Sequence, residues 1–181
     1  MKDVTLLDVL NKLSSNYRIP IGLQYSTDNT NANLTIDVAS ATLVEVLGLI
    51  VKQEPMYRWE VRDGVINFVP VQNQNEFFDK FLNTRVRRFA PEQGINKFEV
   101  RNRLADLPEV RNLLEANKIR IMRLSDYPYS TKSIYSNDQV DFAISDTDVR
   151  GVLNKIVRDG EYKLWVLGWG NEKKDTISIS F

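Results

Sequence analysis

Cysteine and histidine are both absent from the 181 residues. Without them the chain cannot build a Cys nucleophile, a Ser-His-Asp triad, an imidazole proton shuttle or the usual Cys/His zinc site. Carboxylate, Lys and Tyr chemistry remain, but no Asp/Glu pair sits on a recognisable catalytic scaffold and there is no Gly-rich phosphate loop. The expectation is a protein that is not an enzyme and takes no cofactor. Net charge is also absent: 24 Lys+Arg balance 24 Asp+Glu, which argues against binding nucleic acid by bulk electrostatics. No apolar run approaches the ~20 residues needed to cross a bilayer. The opening Met1-Lys2-Asp3-Val4 lacks the apolar stretch of a signal peptide. This abrupt start, inside a helical pattern, reads as that of a fragment.

What is present is ordinary core material, 43% hydrophobic and 10% aromatic, enough for a packed α+β fold. Leu6, Val9, Leu10 and Leu13 recur at helical spacing, with Asp3 as the expected N-cap. Ile19–Tyr25 and Leu34–Val38 read as strands. Thr42 and Glu45 form a capping-box pair ahead of Leu43, Val46, Leu47 and Ile50. Met56–Val61 and Val65–Val69 flank Asp63-Gly64, a type I′ hairpin signal. After a polar stretch at Gln72–Asn75, a strand is expected over Thr84–Ala90 and helix over Asn96–Lys118, bent near Pro108. Further strands follow at Ile119–Leu124 and Gln139–Ile144, then a helix over Val149–Arg158 and a closing hairpin from Tyr162 to Phe181.

The second half thus reads β-α-β-β-α-β-β, and the first half has the same order without the opening strand. Residues repeat as well. A shift of 106 lays Leu43, Val46, Leu47, Ile50, Val51 and Trp59 on Val149, Val152, Leu153, Ile156, Val157 and Trp165, and sets the cap Thr42 on Asp148. Nearer the start, a shift of 91 lays Asp8, Val9, Asn11, Lys12 and Leu13 on Glu99, Val100, Asn102, Arg103 and Leu104. The second copy therefore carries an insertion, shared between its first helix and a Tyr-rich loop. Two modules are expected, residues 1–71 and 83–181, each a pair of helices packed on short mixed sheets, joined by a connector at 72–82 in which Phe77, Phe78, Phe81 and Leu82 seat between them.

The run Thr5-Leu6-Leu7-Asp8-Val9-Leu10, then Ile19-Pro20-Ile21, Leu34–Val38, Thr42–Leu47 and Val65–Pro70 resembles the short N-terminal domain of secretins and TonB-dependent receptors. The resemblance covers residues 3–70 well; residues 84–181 follow only by the looser repeat. It implies the periplasm of a diderm bacterium and a role in docking a protein partner for secretion, transport or signalling. It assigns no functional residues, because the shared pattern marks the core. The alternative from a different class is a KH-like nucleic-acid-binding protein, for which the required G-x-x-G loop is missing.

Candidate partner-binding residues follow from composition. Arg85, Arg87 and Arg88 interrupt a strand; period-2 alternation puts Arg85, Arg87 and Phe89 on one face. They read either as a charge-protected edge or as a basic docking strip. Residues 80–123 hold 11 Lys+Arg against 5 Asp+Glu, while the remainder holds 13 against 19. Tyr127, Tyr129 and Tyr135 lie in a long loop and could either form a contact surface or fold onto the core. Trp169, between Gly168 and Gly170, is a candidate exposed anchor. Asp138, Asp141, Asp146 and Asp148 match no EF-hand spacing, so no metal site is expected. A sheet missing its opening strand would leave an edge for a partner strand, and copies of the chain could associate with one another.

Overall fold

The computed structural model describes residues 2–25, 33–38, 40–72, 75–91, 95–122, 139–140 and 142–181, with backbone alone at 96–98 and 139–140. The chain is α+β. In order it forms α1 (Leu6–Tyr17), β1 (Ile21–Gln24), α2 (Leu43–Gln53), β2 (Tyr57–Arg62), β3 (Val65–Pro70) and α3 (Glu76–Leu82). Then come β4 (Arg85–Phe89), β5 (Ile95–Asn96), α4 (Lys97–Asp106), α5 (Pro108–Ala116), β6 (Arg120–Ile121) and β7 (Gln139–Val140). The chain closes with β8 (Ile144–Asp148), α6 (Val149–Asp159), β9 (Leu164–Trp169) and β10 (Thr176–Ser180).

Local chemistry sets the element ends. Helix α2 begins with the expected capping box: the Thr42 hydroxyl accepts from the Glu45 amide and the Glu45 carboxylate accepts from the Thr42 amide at 2.7 Å. Helix α1 uses the same device two residues later than expected. Its cap is Thr5, not Asp3, because Asp8 supplies the reciprocal bond, accepting the Thr5 amide at 3.0 Å. Asp148 caps α6 as expected, accepting from the Gly151 amide at 2.8 Å. Asp63 and Gly64 turn the β2–β3 hairpin with φ of 54° and 75°, the positive values a type I′ turn demands. The strand expected over Leu34–Val38 is reduced to one bridging residue, Leu34, paired with Val4. The Gln53 amide occupies the neighbouring backbone instead, bonding both the N–H and the C=O of Thr35 at 2.9 Å.

The repeat extends to the hydrogen bonding. The bridge Val4↔Leu34 in the first copy matches the pair Ile95↔Val140 in the second, at the shifts of 91 and 106 that align the side chains. Most of the insertion is α5, which continues past the point where α1 ends.

The two copies do not keep separate sheets. Six strands form one sheet in the order β2-β3-β1-β9-β10-β6. In it the triplet β2-β3-β1 is followed by its counterpart β9-β10-β6. Strand β1 is parallel to both β3 and β9, so β9 runs opposite to β2, its own counterpart. The second copy is therefore the first rotated by a half-turn about the line of strand order and moved three strands along. Its helices consequently lie on the opposite face. Ile21, Leu23, Ile66, Phe68 and Leu164 enter a core with α1 and α2, whereas Val65, Trp165, Leu167, Ile177 and Ile179 enter a second core with α3, α4, α5 and α6. The result is a three-layer stack in which the division between residues 71 and 83 separates the copies but not the sheet. Strand β1, at the centre, is buried at every position, as a parallel strand covered on both faces must be.

Contacts at the junction lock this arrangement. Trp165 lies across Gly22 on the adjacent strand so closely that a Cβ there would collide with the indole. Asn154 on α6 accepts the indole N–H at 2.9 Å and donates to the carbonyl of Arg62 at 3.2 Å, linking the copies. Arg62 also pairs with Asp148 at 2.6 Å. Arg150 is buried over the junction, where its Nη2 approaches Gln24 Oε1 at 3.5 Å. Burial lowers its pKa, an effect partly opposed by Glu60. The expected connector is α3, whose Phe78, Phe81 and Leu82 are buried in the second core.

Two outcomes follow. Gly22→Ala should destabilise by about 1–3 kcal/mol, because the indole is held by Asn154 and cannot swing aside; chemical denaturation reads it, and an unchanged midpoint would count against the packing described. At the end of α6 the Arg158 guanidinium, and then Lys155, hold the Asp159 carboxyl down to about 2. Its folded pKa lies below the unfolded value of about 3.9, so its contribution is present above about pH 4 and fades as pH falls through about 2. Asp159→Asn should remove that part of the acid dependence of the urea midpoint. The effect will be small, since these groups are partly solvated.

Candidate docking surface

Strand β4 pairs with β8 in a two-stranded antiparallel ladder apart from the main sheet. The ladder keeps one register, with Arg85↔Asp148, Val86↔Thr147, Arg88↔Ser145 and Phe89↔Ile144, but the position of Arg87 opposite Asp146 is unbridged. Asp146 has φ of 51° there, a left-handed value that interrupts regular extension. The expected alternation accordingly fails. Val86 and Phe89, three apart, are both buried, and Arg85, Arg87 and Arg88 all remain in solvent. Phe89 does not share the exposed face with Arg85 and Arg87.

The basic strip is thus a real juxtaposition of three guanidinium groups. Arg85 meets Asp146 at 3.1 Å in a pair exposed on both sides, which contributes little in water. Among the described residues the guanidinium groups of Arg87 and Arg88 have no ion pair. The backbone of Arg87 is occupied, however: its amide donates to the Glu109 carboxylate on α5 at 3.0 Å. That bond covers the outer edge of β4 and blocks another strand from pairing there. Beside the strip a cleft of about 440 Å³ is lined by Arg88, Phe89, Pro91, Arg103 and Leu107.

Trp169 is not an exposed anchor. It is half-buried, with its ring 4.8 Å from that of Phe78 and stacked on Phe77 at 6.2 Å. The apolar face of α3 lies directly beneath the end of β9, so the ring serves to seat α3. Tyr127, Tyr129 and Tyr135 lie outside the described residues, as do Asp138 and Asp141. Asp146 and Asp148 are engaged with Arg85 and with the α6 cap, and among the described residues no cluster of acidic side chains could hold a metal ion. No helix among them is long and apolar enough to cross a membrane.

A second surface escaped the sequence reading. Val38, Leu43 and Val44 stand in solvent around the start of α2. The signal was the adjacent pair Leu43-Val44, which widens the apolar stripe of α2 beyond the face that one sheet covers.

No family model matches the chain, nor does any curated protein or solved structure.

The role of Glu109 can be checked directly. Glu109→Ala should leave the global denaturation midpoint nearly unchanged while amide exchange at Arg87 quickens by about tenfold, the scale of one lost hydrogen bond to a charged acceptor. Unaltered exchange at Arg87 would show that the carboxylate does not cover this edge.

Proposed function

We propose that the chain is a non-enzymatic protein–protein interaction module of a bacterial cell-envelope protein, working in the periplasm. The single observation behind this reading is the strip Arg85, Arg87 and Arg88. Its three cations are held in solvent on a strand anchored by Val86 and Phe89 and fixed from behind by Glu109. A rigid row of solvated guanidinium groups suits an acidic protein face, since planar donors recognise carboxylates in pairs. Complementary charge also speeds encounter and selects partners. The likeness of residues 3–70 to the secretin and TonB-receptor short N-terminal domain supports the envelope setting, and the absence of a G-x-x-G loop weighs against a KH-like role.

The test is capture from an envelope extract with the wild-type chain and with Arg85→Ser/Arg88→Ser. Both substitutions are in solvent and leave the β4 ladder and the Glu109 bond in place. A specific protein retained by the wild type, weakened at least tenfold by the double variant and increasingly lost with salt, is the expected result. Capture that ignores the substitutions, or that disappears with nuclease treatment, would overturn it.

A further inference from the structure

Strand β2 closes one end of the six-stranded sheet and is its longest open edge among the described residues; β6, at the other end, holds two residues. Its pairing with β3 runs unbroken from Tyr57 to Arg62, with no bulge, no proline and no positive φ. The usual devices that blunt an edge, apart from charge, are therefore missing. The tight turn at Asp63-Gly64 makes Arg62↔Val65 a hydrogen-bonded pair, and four positions back the Val71 amide donates to the Met56 carbonyl at 2.7 Å. Arg58, Glu60 and Arg62 thus direct their backbone to β3, while Tyr57, Trp59 and Val61 turn theirs to the outer edge. The Glu54 carbonyl takes the Tyr57 amide at 3.0 Å, and among the described residues the amides of Trp59 and Val61 have no partner. The repeat shows that this edge suits a neighbour. In β9 the carbonyls of Lys163 and Leu167 accept from the amides of Ile21 and Tyr25 at 2.7 and 2.8 Å. At the shift of 106 those two places are Tyr57 and Val61.

We infer that β2 is a self-association edge: two molecules of this chain pair β2 with β2, antiparallel, about a two-fold axis at Trp59. Charge identifies the occupant. Arg58, Glu60 and Arg62 share one face of β2. An edge carrying one sign would repel another molecule of itself, but alternating signs are self-complementary in a suitable register. With Trp59 opposite Trp59, each Arg58 stands opposite Glu60 of the other molecule, so two symmetric ion pairs form across the junction. Each Glu60 then lies between two guanidinium groups, because it already meets its own Arg58 at 2.6 Å. The two Trp59 residues exchange both backbone bonds, and Val61, 64% exposed, comes to lie opposite Tyr57. The neighbouring registers are worse. Moving the axis to Glu60 sets Glu60 against Glu60 and Arg58 against Arg62, like charges directly opposed. Moving it to Val61 would use Arg62, which is already held by Asp148 at 2.6 Å, and would run Trp59 into the turn at Asp63. Closed pairing of identical surfaces about a two-fold axis is the commonest form of self-association. Here it joins two sheets into one and satisfies the outward amides of Trp59. It goes beyond the docking strip and does not rest on it, since Arg85, Arg87 and Arg88 lie on a different sheet.

Sedimentation velocity over a concentration series of the full chain is the test, with amide exchange at Trp59 read alongside. A reversible monomer–dimer equilibrium is expected, and exchange at Trp59 should slow as the dimer fills. Arg58→Glu sets Glu against Glu at both symmetric pairs and should weaken association about tenfold; Glu60→Arg should do the same. The double variant Arg58→Glu/Glu60→Arg restores opposite charges in the same register and should recover the dimer. Both side chains are largely solvated, so all three variants should keep the urea midpoint of the wild type. A chain that stays monomeric throughout the series would overturn the inference and leave the edge to a strand of a foreign protein. Association indifferent to Arg58→Glu would overturn it too, by placing the contact in another register or on another surface. Failure of the double variant to recover the dimer would have the same force. Arg85→Ser/Arg88→Ser should leave the dimer intact, so failure of the docking strip and failure of this edge are read separately.

Discussion

The parallel pairing of β1 with β9 is the contact on which the rest of the molecule depends. Four consecutive residues, Ile21 to Gln24, align with Leu164 to Leu167, and through them two triplets of strands become one sheet. A parallel junction between a central strand and a hairpin strand obliges the second copy to run in the reverse direction. That reversal puts its helices on the far face. Each triplet then has one face covered by its own helices, while α6 also reaches across β1 and β3 of the other copy. The glycine at position 22 follows from the same junction, because Trp165 needs the space a side chain would take.

Much of this was legible in the amino acids. The T-x-x-E box at Thr42, the Asp63-Gly64 turn, the bend before Pro108 and the Asp148 cap are local signals, decided within a few residues, and each is found where expected. The repeat was legible too, since Val46, Leu47, Ile50, Val51 and Trp59 have identical counterparts. Its two registers reappear in the paired bridges at Val4 and Ile95. Phe77, Phe78, Phe81 and Leu82, expected to seat between the copies, instead join the core of the second copy.

What was not legible depended on long-range pairing. Nothing within Ile21–Gln24 announces a second parallel neighbour some 140 residues away, so two modules with their own sheets were the natural expectation. The faces of β4 were misjudged for a related reason: strict alternation assumes a regular ladder, and the left-handed Asp146 breaks it from the partner strand. Trp169 looked exposed because glycines flank it, yet the Phe77–Phe78 pair that covers it lies on a separate element. Leu34–Val38 alternates like a strand, but the side chain of Gln53 takes the backbone groups a ladder would have used.

The half-turn between the copies has a bearing on how the two halves can diverge. Helix α6 is enclosed from its first turn: Val149, Arg150, Gly151, Val152, Leu153 and Asn154 are all buried in succession. Its twin α2 leaves Leu43, Val44 and Gly48 in solvent. After a duplication, then, the two descendants of one helix drift under different rules. Nearly every substitution in α6 must be matched by a neighbour on either side, whereas α2 can exchange one flank of its residues freely. The pairs Val44/Arg150 and Gly48/Asn154 are where that divergence is written. One twin has become a keystone that tolerates little change, and the other keeps a surface on which new recognition can be tried without endangering the fold.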